Sequence, residues 1–311
     1  MANLDRVVAV DLGGTGLKAA LVDRELRTSN VVRTPTERRG GIARPDQVVD
    51  VVAQLQAVGD QQGFRVRAAG LAVPGIVDDD LGLVRFSANL GWRNLAVREL
   101  VAASTHLPVA VGHDVRIGGL AEFRVGAAKE ARNVLFVPIG TGIASAIFLD
   151  GQPFVAGGYA GEIGHIVVEP GGPKCGCGNR GCLETIASAA AVARRYNARS
   201  GSRVTGAIDV VERMADDSDA RAVWAEAIEA LAYALVIAIT VLGPEVVVIG
   251  GGLAESGDVL LAPLRETLLK RLTFQRRPDV VLAALGDRAG YMGAGLLGWE
   301  QVGVTPKGVR R

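Results

Sequence analysis

"VVAVDLGGTGLKAALVD" (residues 7–23) and "VLFVPIGTGIASAIFLD" (residues 134–150) follow one plan. Each stretch is predicted to form a strand, a Gly-Thr-Gly turn and a second strand that ends at an aspartate. The two triplets begin at Gly14 and Gly140, a domain-sized separation that favours two similar lobes rather than a solenoid. Backbone N–H groups in two such turns could grip one polyphosphate, whereas the plainer interpretation is two ordinary hairpin turns.

The rest of the chain alternates between strand and helix patterns, which predicts a mixed α/β fold. Further strands are expected at "VRAAGLAV" (66–73), "LPVAVG" (107–112), "EVVVIGG" (245–251) and "DVVLAAL" (279–285). Helices are expected from Pro45 to about Gln62, from Val115 to about Val125, and over residues 185–199, 219–242, 258–271 and 289–299.

Composition sets limits on the class of protein. The 311 residues are 49% apolar and 22% charged, as expected for a globular chain. The formal net charge of +1 argues against a nucleic-acid or anionic-membrane partner. The start, "MANLDRVVAV", lacks the pattern of a signal peptide, and the apolar run Leu231–Leu242 is expected to be a buried helix too short to span a bilayer. These features predict a cytoplasmic protein.

"HIVVEPGGPKCGCGNRGCLE" (residues 165–184) contains all three cysteines of the chain. One imidazole and three thiols, from His165, Cys175, Cys177 and Cys182, form a Cys₃His set that suits closed tetrahedral zinc. Four protein ligands leave no open position, so the metal is expected to be structural. The alternative is three unrelated small cysteines and a surface histidine.

Three motifs together resemble the ROK family (repressors, open reading frames, kinases), which includes bacterial glucokinases and N-acetylhexosamine kinases. They are "DLGGTGLK" (11–18), "PIGTGIASAIFLDGQPFVAGGYAGEIGH" (138–165) and "CGCGNRGCLE" (175–184), and the resemblance extends from about Val7 to "GYMGAGLLG" (290–298). It implies a two-lobed, actin-like (ribonuclease-H-like) ATPase fold with a central ligand cleft. The lobes are predicted as residues 1–115 plus about 288–311, and residues 116–287.

The resemblance also implies residues on the sugar side of the site. Asp114 takes the position of the family's catalytic base, although a helix cap is the alternative for it. The family usually has asparagine before this aspartate, and His113 replaces it here, which puts the identity of the sugar in question. The other positions that match sugar contacts are Gly75, Asn89, Glu162, His165 and Glu184.

For ATP, the first turn offers Gly13, Gly14 and Thr15, and the second offers Gly140, Thr141 and Gly142. Asp11 is expected to hold Mg²⁺ through water, because Mg²⁺ keeps several of its waters. Lys18 is either a phosphate contact or a surface lysine. The resemblance places the adenosine against Gly250, Gly251 and Gly252, and no Walker A pattern is present in the sequence.

The resulting hypothesis is an ATP- and Mg²⁺-dependent kinase that phosphorylates the 6-hydroxyl of an aldohexose, glucose first, and carries a structural Zn²⁺. Two alternatives stay open: a kinase of N-acetylglucosamine or N-acetylmannosamine, which His113 motivates, and a non-catalytic sugar sensor or regulator. The early position of "DLGGT", from residue 11, leaves no room for the winged-helix domain of the family's repressors and favours the enzyme. Polyphosphate is a further possible donor, and a homodimer or homotetramer is expected because similar kinases are often homo-oligomers.

Overall fold

A computed structural model describes residues 4–309, which divide into two compact units. The first unit comprises residues 4–129, 155–159 and 287–309, and the second comprises residues 130–154 and 160–286. The fold is mixed α/β, as the sequence predicted, and each unit contains a five-stranded sheet.

The strands and helices alternate along the chain. The strands are β1 (Asp5–Leu12), β2 (Gly16–Val22), β3 (Thr28–Pro35), β4 (Arg38–Arg39), β5 (Ile42–Ala43), β6 (Arg65–Val73), β7 (Ile76–Asp78), β8 (Leu83–Ser87), β9 (Trp92–Leu95), β10 (Val109–His113), β11 (Val134–Pro138), β12 (Ala146–Leu149), β13 (Gln152–Phe154), β14 (Val246–Gly250) and β15 (Asp279–Leu282). The α-helices are α1 (Asp46–Gln61), α2 (Val97–Thr105), α3 (Asp114–Val125), α4 (Leu183–Ala187), α5 (Ala189–Ser200), α6 (Ala207–Arg213), α7 (Ser218–Leu242), α8 (Asp258–Arg271) and α9 (Ala289–Gln301).

The unit boundaries differ from the predicted lobes in two places. Residues 116–129 fall in the first unit because α3 packs along α9, and the backbone of Ile117 lies against Gly293 with no room for a side chain between them. Residues 155–159 also fall in the first unit, where Gly158 lies against the carbonyl of Val77. Both differences come from tertiary packing, which the sequence pattern does not encode.

The sheet of the first unit has the strand order β10-β6-β1-β2-β3. Strand β1 lies at its centre, antiparallel to β2 and parallel to β6, and residues 7–10 are almost fully buried. Helix α9 packs directly on this sheet: a Cβ at Gly70 would lie 1.9 Å from the carbonyl oxygen of Ala294. Gly70 pairs with Ala9, so this contact fixes α9 against the middle of the sheet, while Gly290 in the first turn of α9 lies against Asp11.

The sheet of the second unit has the order β13-β12-β11-β14-β15. Strand β11 leads into the second Gly-Thr-Gly turn and lies parallel to β14, which leads into the Gly250–Gly252 segment. The two predicted turns therefore each follow a central strand of their own sheet.

Helix α7 contains the apolar run that the sequence analysis took to be too short for a bilayer. The complete helix has 25 residues and is long and apolar enough to cross a membrane by length and composition. Leu231, Leu235 and Ile239 are nevertheless 1% exposed and belong to the hydrophobic core of the second unit, where α7 packs against α4, α5 and α8. The predicted helix over residues 219–242 is confirmed to within one residue. The apolar run is buried along one face, while Tyr233, Ile237 and Val241 on the other face are exposed.

Candidate active site and metal centre

The first Gly-Thr-Gly turn has its carbonyl groups engaged by one neighbouring segment. Thr36 Oγ1 donates to the Gly13 carbonyl at 2.7 Å, and the Thr36 amide donates to the Thr15 carbonyl at 3.1 Å. Arg38 donates to the Gly14 carbonyl between them at 2.6 Å. Among residues 4–309, the amides of Gly14 and Thr15 donate to no other group. Unengaged amides beside engaged carbonyls are available to donate hydrogen bonds to an anion.

Asp11 lies at the end of β1, against the first turn of α9. A Cβ at Gly290 would approach Asp11 Oδ2 to 2.2 Å, so the carboxylate occupies the space that a side chain there would need. Burial raises the pKa of Asp11 to about 6, and the nearby charge of Asp114 adds to the shift. Asp11 and Asp114 are both partly buried, and two such neighbouring carboxylates favour either a shared proton or a bound cation.

Lys18 and Asp287 form a small polar network beside Asp11. Lys18 Nζ donates to the Asp287 carbonyl at 3.2 Å and lies 3.7 Å from its carboxylate, which also accepts from Arg33 at 2.8 Å. The Arg33 hydrogen bond lowers the pKa of Asp287. The predicted phosphate contact Lys18 is therefore an ion-pair partner of Asp287 in this structure.

Asp114 is the first residue of α3. Its Oδ1 accepts from the Val115 amide at 2.7 Å and lies 3.2 Å from His113 Nε2. Burial raises the pKa of Asp114 to about 6, and the Val115 hydrogen bond partly opposes that shift. A carboxyl group tuned towards neutral pH and fixed at a helix start is suited to general base chemistry.

Asn89 lies against the first turn, and Gly75 lies against Phe86 and Ser87, which precede the Asn89 loop. A Cβ at Gly14 would lie 3.3 Å from the Asn89 Cβ, so the turn and the Asn89 loop are in contact. Gly75 has φ of +117° and faces the backbone of Phe86 and Ser87, where a Cβ would meet the Phe86 carbonyl at 2.2 Å. Glycine is required at position 75 by this close approach.

The second unit brings its own predicted residues together. The Gly140 amide donates to the Gly142 carbonyl at 3.0 Å, and the amide of Ala189, at the start of α5, donates to the Gly140 carbonyl at 2.9 Å. Gly251, with φ of +76°, lies directly against the backbone of Ile139 at the base of this turn. The predicted adenosine segment therefore adjoins the predicted phosphate turn.

The Cys₃His set is assembled. The ligand atoms of His165, Cys175, Cys177 and Cys182 all lie within 4.8 Å of one another. Cys177 Sγ is 3.7 Å from Cys182 Sγ, and Cys175 Sγ is 3.6 Å from His165 Nδ1. Zn–S bonds of about 2.3 Å imply tetrahedral edges of about 3.8 Å. The donor set and its spacing fit a tetrahedral metal ion.

Glu162 and Glu184 each lie near one ring nitrogen of His165 in this cluster. Glu184 Oε1 lies 3.2 Å from Cys175 Sγ and 3.8 Å from His165 Nδ1, while Glu162 Oε2 lies 3.9 Å from His165 Nε2. A Cβ at Gly142 would lie 2.9 Å from Glu184 Oε2, so Glu184 also contacts the second turn. Burial raises the pKa of Cys175 to about 12, with the Glu184 contact adding to the shift. Cys175 would need a cation to ionise at neutral pH.

The predicted residues thus form one group in each unit. The first unit groups Asp11, Gly13, Gly14, Thr15, Lys18, Gly75, Asn89, His113 and Asp114. The second unit groups Gly140, Thr141, Gly142, Glu162, His165, Cys175, Cys177, Cys182, Glu184, Gly250, Gly251 and Gly252. Thr36, Arg38, Asp287 and Gly290 were not predicted. Only the glycine-rich "GYMGAGLLG" pattern around Gly290 signalled a close backbone approach.

The chain is similar to known proteins over nearly its whole length. The model of the ROK family matches residues 7–301. A glucokinase of Halalkalibacterium halodurans is 33% identical over 97% of this chain and 97% of its own length. The N-acetylglucosamine repressor of Escherichia coli O157:H7 is 34% identical over 91% of this chain and 72% of its own.

A solved structure supports the same relationship. The ROK family glucokinase from Streptomyces griseus, in complex with glucose and AMPPNP, aligns with a TM-score of 0.81 and 28% identity, covering 95% of this chain and 99% of its own. Sequence and fold therefore agree, and the chain belongs to the ROK family.

Proposed function

We propose that the protein transfers the γ-phosphoryl group of ATP to the 6-hydroxyl of an aldohexose, with glucose as the preferred acceptor. That it is an ATP-dependent hexose kinase follows from its likeness to a glucokinase over 97% of the chain and to a glucokinase structure that holds glucose and AMPPNP. The observation that supports a catalytic site in this chain is the partly buried Asp114 carboxylate, fixed at the start of α3.

Asp114 is the proposed base. Phosphoryl transfer asks the protein mainly to position the reactants and stabilise charge, and a carboxylate accepts the hydroxyl proton. Val115 and His113 hold one oxygen of Asp114 and so fix the direction of its carboxylate. A pKa of about 6 leaves Asp114 ionised at neutral pH and close enough to neutrality to take a proton.

The first turn is the proposed phosphate contact of the first unit, because the amides of Gly14 and Thr15, which donate to no group within residues 4–309, can donate to phosphate oxygens. Gly140, Thr141 and Gly142 take the same role in the second unit, with the adenosine beside Gly250, Gly251 and Gly252. Bound Mg²⁺ would neutralise phosphate charge, and the partly buried, mutually repelling carboxylates of Asp11 and Asp114 suit a divalent cation. Lys18 is proposed to balance the charge of Asp11 rather than to hold phosphate.

The metal centre is proposed to be a structural zinc site held by His165, Cys175, Cys177 and Cys182. With His165 Nδ1 facing the thiols, Nε2 is left on the side of Glu162 and could bond a sugar hydroxyl. Glu162 and Glu184 are the proposed carboxylate acceptors for further hydroxyls, and Asn89, His113 and the Gly75 backbone are the proposed sugar contacts of the first unit. The ion would fix this loop without taking part in the reaction.

N-acetylglucosamine or N-acetylmannosamine is the second candidate acceptor. It is favoured by His113, which contacts Asp114 and stands where the family usually has asparagine. The third candidate is a sugar-binding regulator without turnover, and the likeness to the repressor is the observation in its favour.

A coupled assay with glucose, mannose and both N-acetyl sugars tests the proposal. Glucose should give the highest kcat/KM. A preference above tenfold for an N-acetyl sugar would replace glucose as the acceptor, and sugar binding without ATP consumption across the panel would support the regulator. A parallel run with polyphosphate in place of ATP identifies the donor.

A further inference from the structure

Arg38 links two parts of the first unit that the proposed function assigns to different ligands. One terminal nitrogen of its guanidinium donates to the Gly14 carbonyl at 2.6 Å and to the Asn89 carbonyl at 2.7 Å. The other terminal nitrogen donates to the Gly41 carbonyl at 2.7 Å. A planar guanidinium fixes the direction of several bonds at once, so the three carbonyl groups are held in a set geometry.

The two linked loops also touch directly. Gly14 packs against Asn89, where a Cβ on the glycine would come within 3.3 Å of the Asn89 Cβ and 3.5 Å of its carbonyl oxygen. A shift of the Asn89 backbone would therefore push on the turn and pull on the same guanidinium. This contact supplies a physical route between the loops, independent of the hydrogen bonds.

The segment that carries Arg38 is anchored on both sides. Thr36 bonds the Gly13 and Thr15 carbonyls, as described above, and the Ala43 amide donates to the Leu90 carbonyl at 2.8 Å. The indole of Trp92 donates to the Ala43 carbonyl at 2.7 Å. The segment from Thr36 to Ala43 thus spans from the phosphate turn to the loop that contains Asn89.

We propose that Arg38 is a positioning residue that couples sugar binding at Asn89 to nucleotide binding at the first Gly-Thr-Gly turn. Sugar contact with Asn89 fixes its loop, Arg38 transmits that order to the Gly14 carbonyl, and the amides of Gly14 and Thr15 are then held ready for phosphate. By linkage the effect is reciprocal, so bound nucleotide must tighten sugar binding by the same factor.

Arg39 provides a matched control. It adjoins Arg38 in β4 and is likewise exposed, but its side chain makes no hydrogen bond or ion pair with another of residues 4–309. Arg38→Ala and Arg39→Ala both remove one positive charge and one exposed arginine, so these general effects are the same in the two variants. Only Arg38→Ala removes the guanidinium that bridges the Gly14 and Asn89 carbonyl groups.

The experiment measures the dissociation constant of the sugar by calorimetry, without and with saturating AMPPNP and Mg²⁺. The sugar is the one with the highest kcat/KM in the panel described above. The wild-type protein and Arg39→Ala should bind it at least about fivefold more tightly with AMPPNP present, and Arg38→Ala should lower this ratio to about half the wild-type value or less, because only the direct Gly14–Asn89 contact then joins the two loops. Thermal unfolding checks that each variant is folded at the assay temperature.

The inference rests on the proposed function, and a third variant separates the two. If Asn89→Ala leaves sugar affinity unchanged, the proposed sugar site fails and the coupling fails with it. If Asn89→Ala weakens sugar binding but Arg38→Ala keeps the wild-type ratio, the coupling role of Arg38 alone is overturned. A wild-type ratio of one, or an equal loss in Arg39→Ala, overturns it as well.

Discussion

Oδ1 of Asp114 lies 3.2 Å from Nε2 of His113 and accepts the Val115 amide at 2.7 Å. One oxygen of the carboxylate thus contacts the residues on either side of Asp114, at the point where β10 ends and α3 begins. This arrangement gives Asp114 a fixed direction, and burial gives it a raised pKa. The catalytic proposal and its pH dependence both follow from this junction.

Activity should depend on pH through Asp114. Because its pKa is about 6, the base becomes protonated as the pH falls through that value, and kcat/KM should fall with it. Asp11 titrates in the same pH range, so a plot of log(kcat/KM) against pH should have a slope between one and two on its acid side. The profile from pH 5 to 8 measures this. A constant kcat/KM down to pH 5 would contradict the assignment of the base.

Whereas activity should rise with pH, the ionisation of Asp11 should make the protein less stable as the pH rises. Its pKa is raised on folding, so ionisation is costlier in the folded state, and the wild type loses stability as pH rises from about 4 to about 6. The free energy of unfolding of Asp11→Asn should equal that of the wild type near pH 3.5 and should be about 1–3 kcal/mol higher at pH 7.5. Urea unfolding without Mg²⁺ or nucleotide measures the difference.

Asp287→Asn is the control for that measurement. Arg33 lowers the pKa of Asp287, so its ionised form favours folding, and its removal should slightly reduce stability at pH 7.5. The effect should be small because both partners are more than half exposed. Equal behaviour of the two variants at pH 7.5 would contradict the account of Asp11.

Gly290→Ala should damage the site without unfolding the protein. The added methyl group would lie 2.2 Å from Asp11 Oδ2, so the carboxylate must move away from α9. We expect kcat to fall at least tenfold and the KM for Mg-ATP to rise. Gly295→Ala in the same helix is the control, because the atoms nearest its methyl group would belong to the side chain of Val22, from 3.0 Å, and not to Asp11. Steady-state kinetics measure both variants. Unchanged activity in Gly290→Ala would show that the reaction does not depend on the position of the Asp11 carboxylate.

Metal analysis tests the zinc proposal. Elemental analysis of the purified protein should find about one zinc per chain. Cys182→Ser should lose the metal, lower the unfolding temperature and reduce activity through loss of order in the loop. Lys174→Ala, in the same loop but outside the cluster, should keep all three properties. Cys182→Ser with wild-type zinc content and stability would show that Cys182 is not a ligand.

Several features of this fold could be predicted from the sequence because they depend on local pattern. The turns at Gly14 and Gly140 lie between short apolar strands, and helix α3 begins one residue before its predicted start. The predicted helix over residues 185–199 is broken at Ser188, whose side chain caps α5 by accepting the Ala191 amide. The cysteine cluster could be predicted because its spacing is confined to one loop.

The missed residues act through contacts between segments far apart in the sequence. Arg38 lies in a polar, exposed stretch with no periodic signal, and its role depends on carbonyl groups at Gly14 and Asn89. Gly290 belongs to a motif that was noted, but its importance depends on Asp11 lying opposite it. Residues whose partners are backbone atoms of another segment leave no trace in local pattern.

The most direct test of the account is the turnover of Asp114→Asn, which removes the base and preserves the shape of the side chain. We expect kcat to fall by about 10²–10⁴-fold, as for other general bases, while the dissociation constant of the sugar changes by less than about threefold. Near wild-type turnover in this variant, with the protein folded, would contradict the central claim that Asp114 accepts the proton.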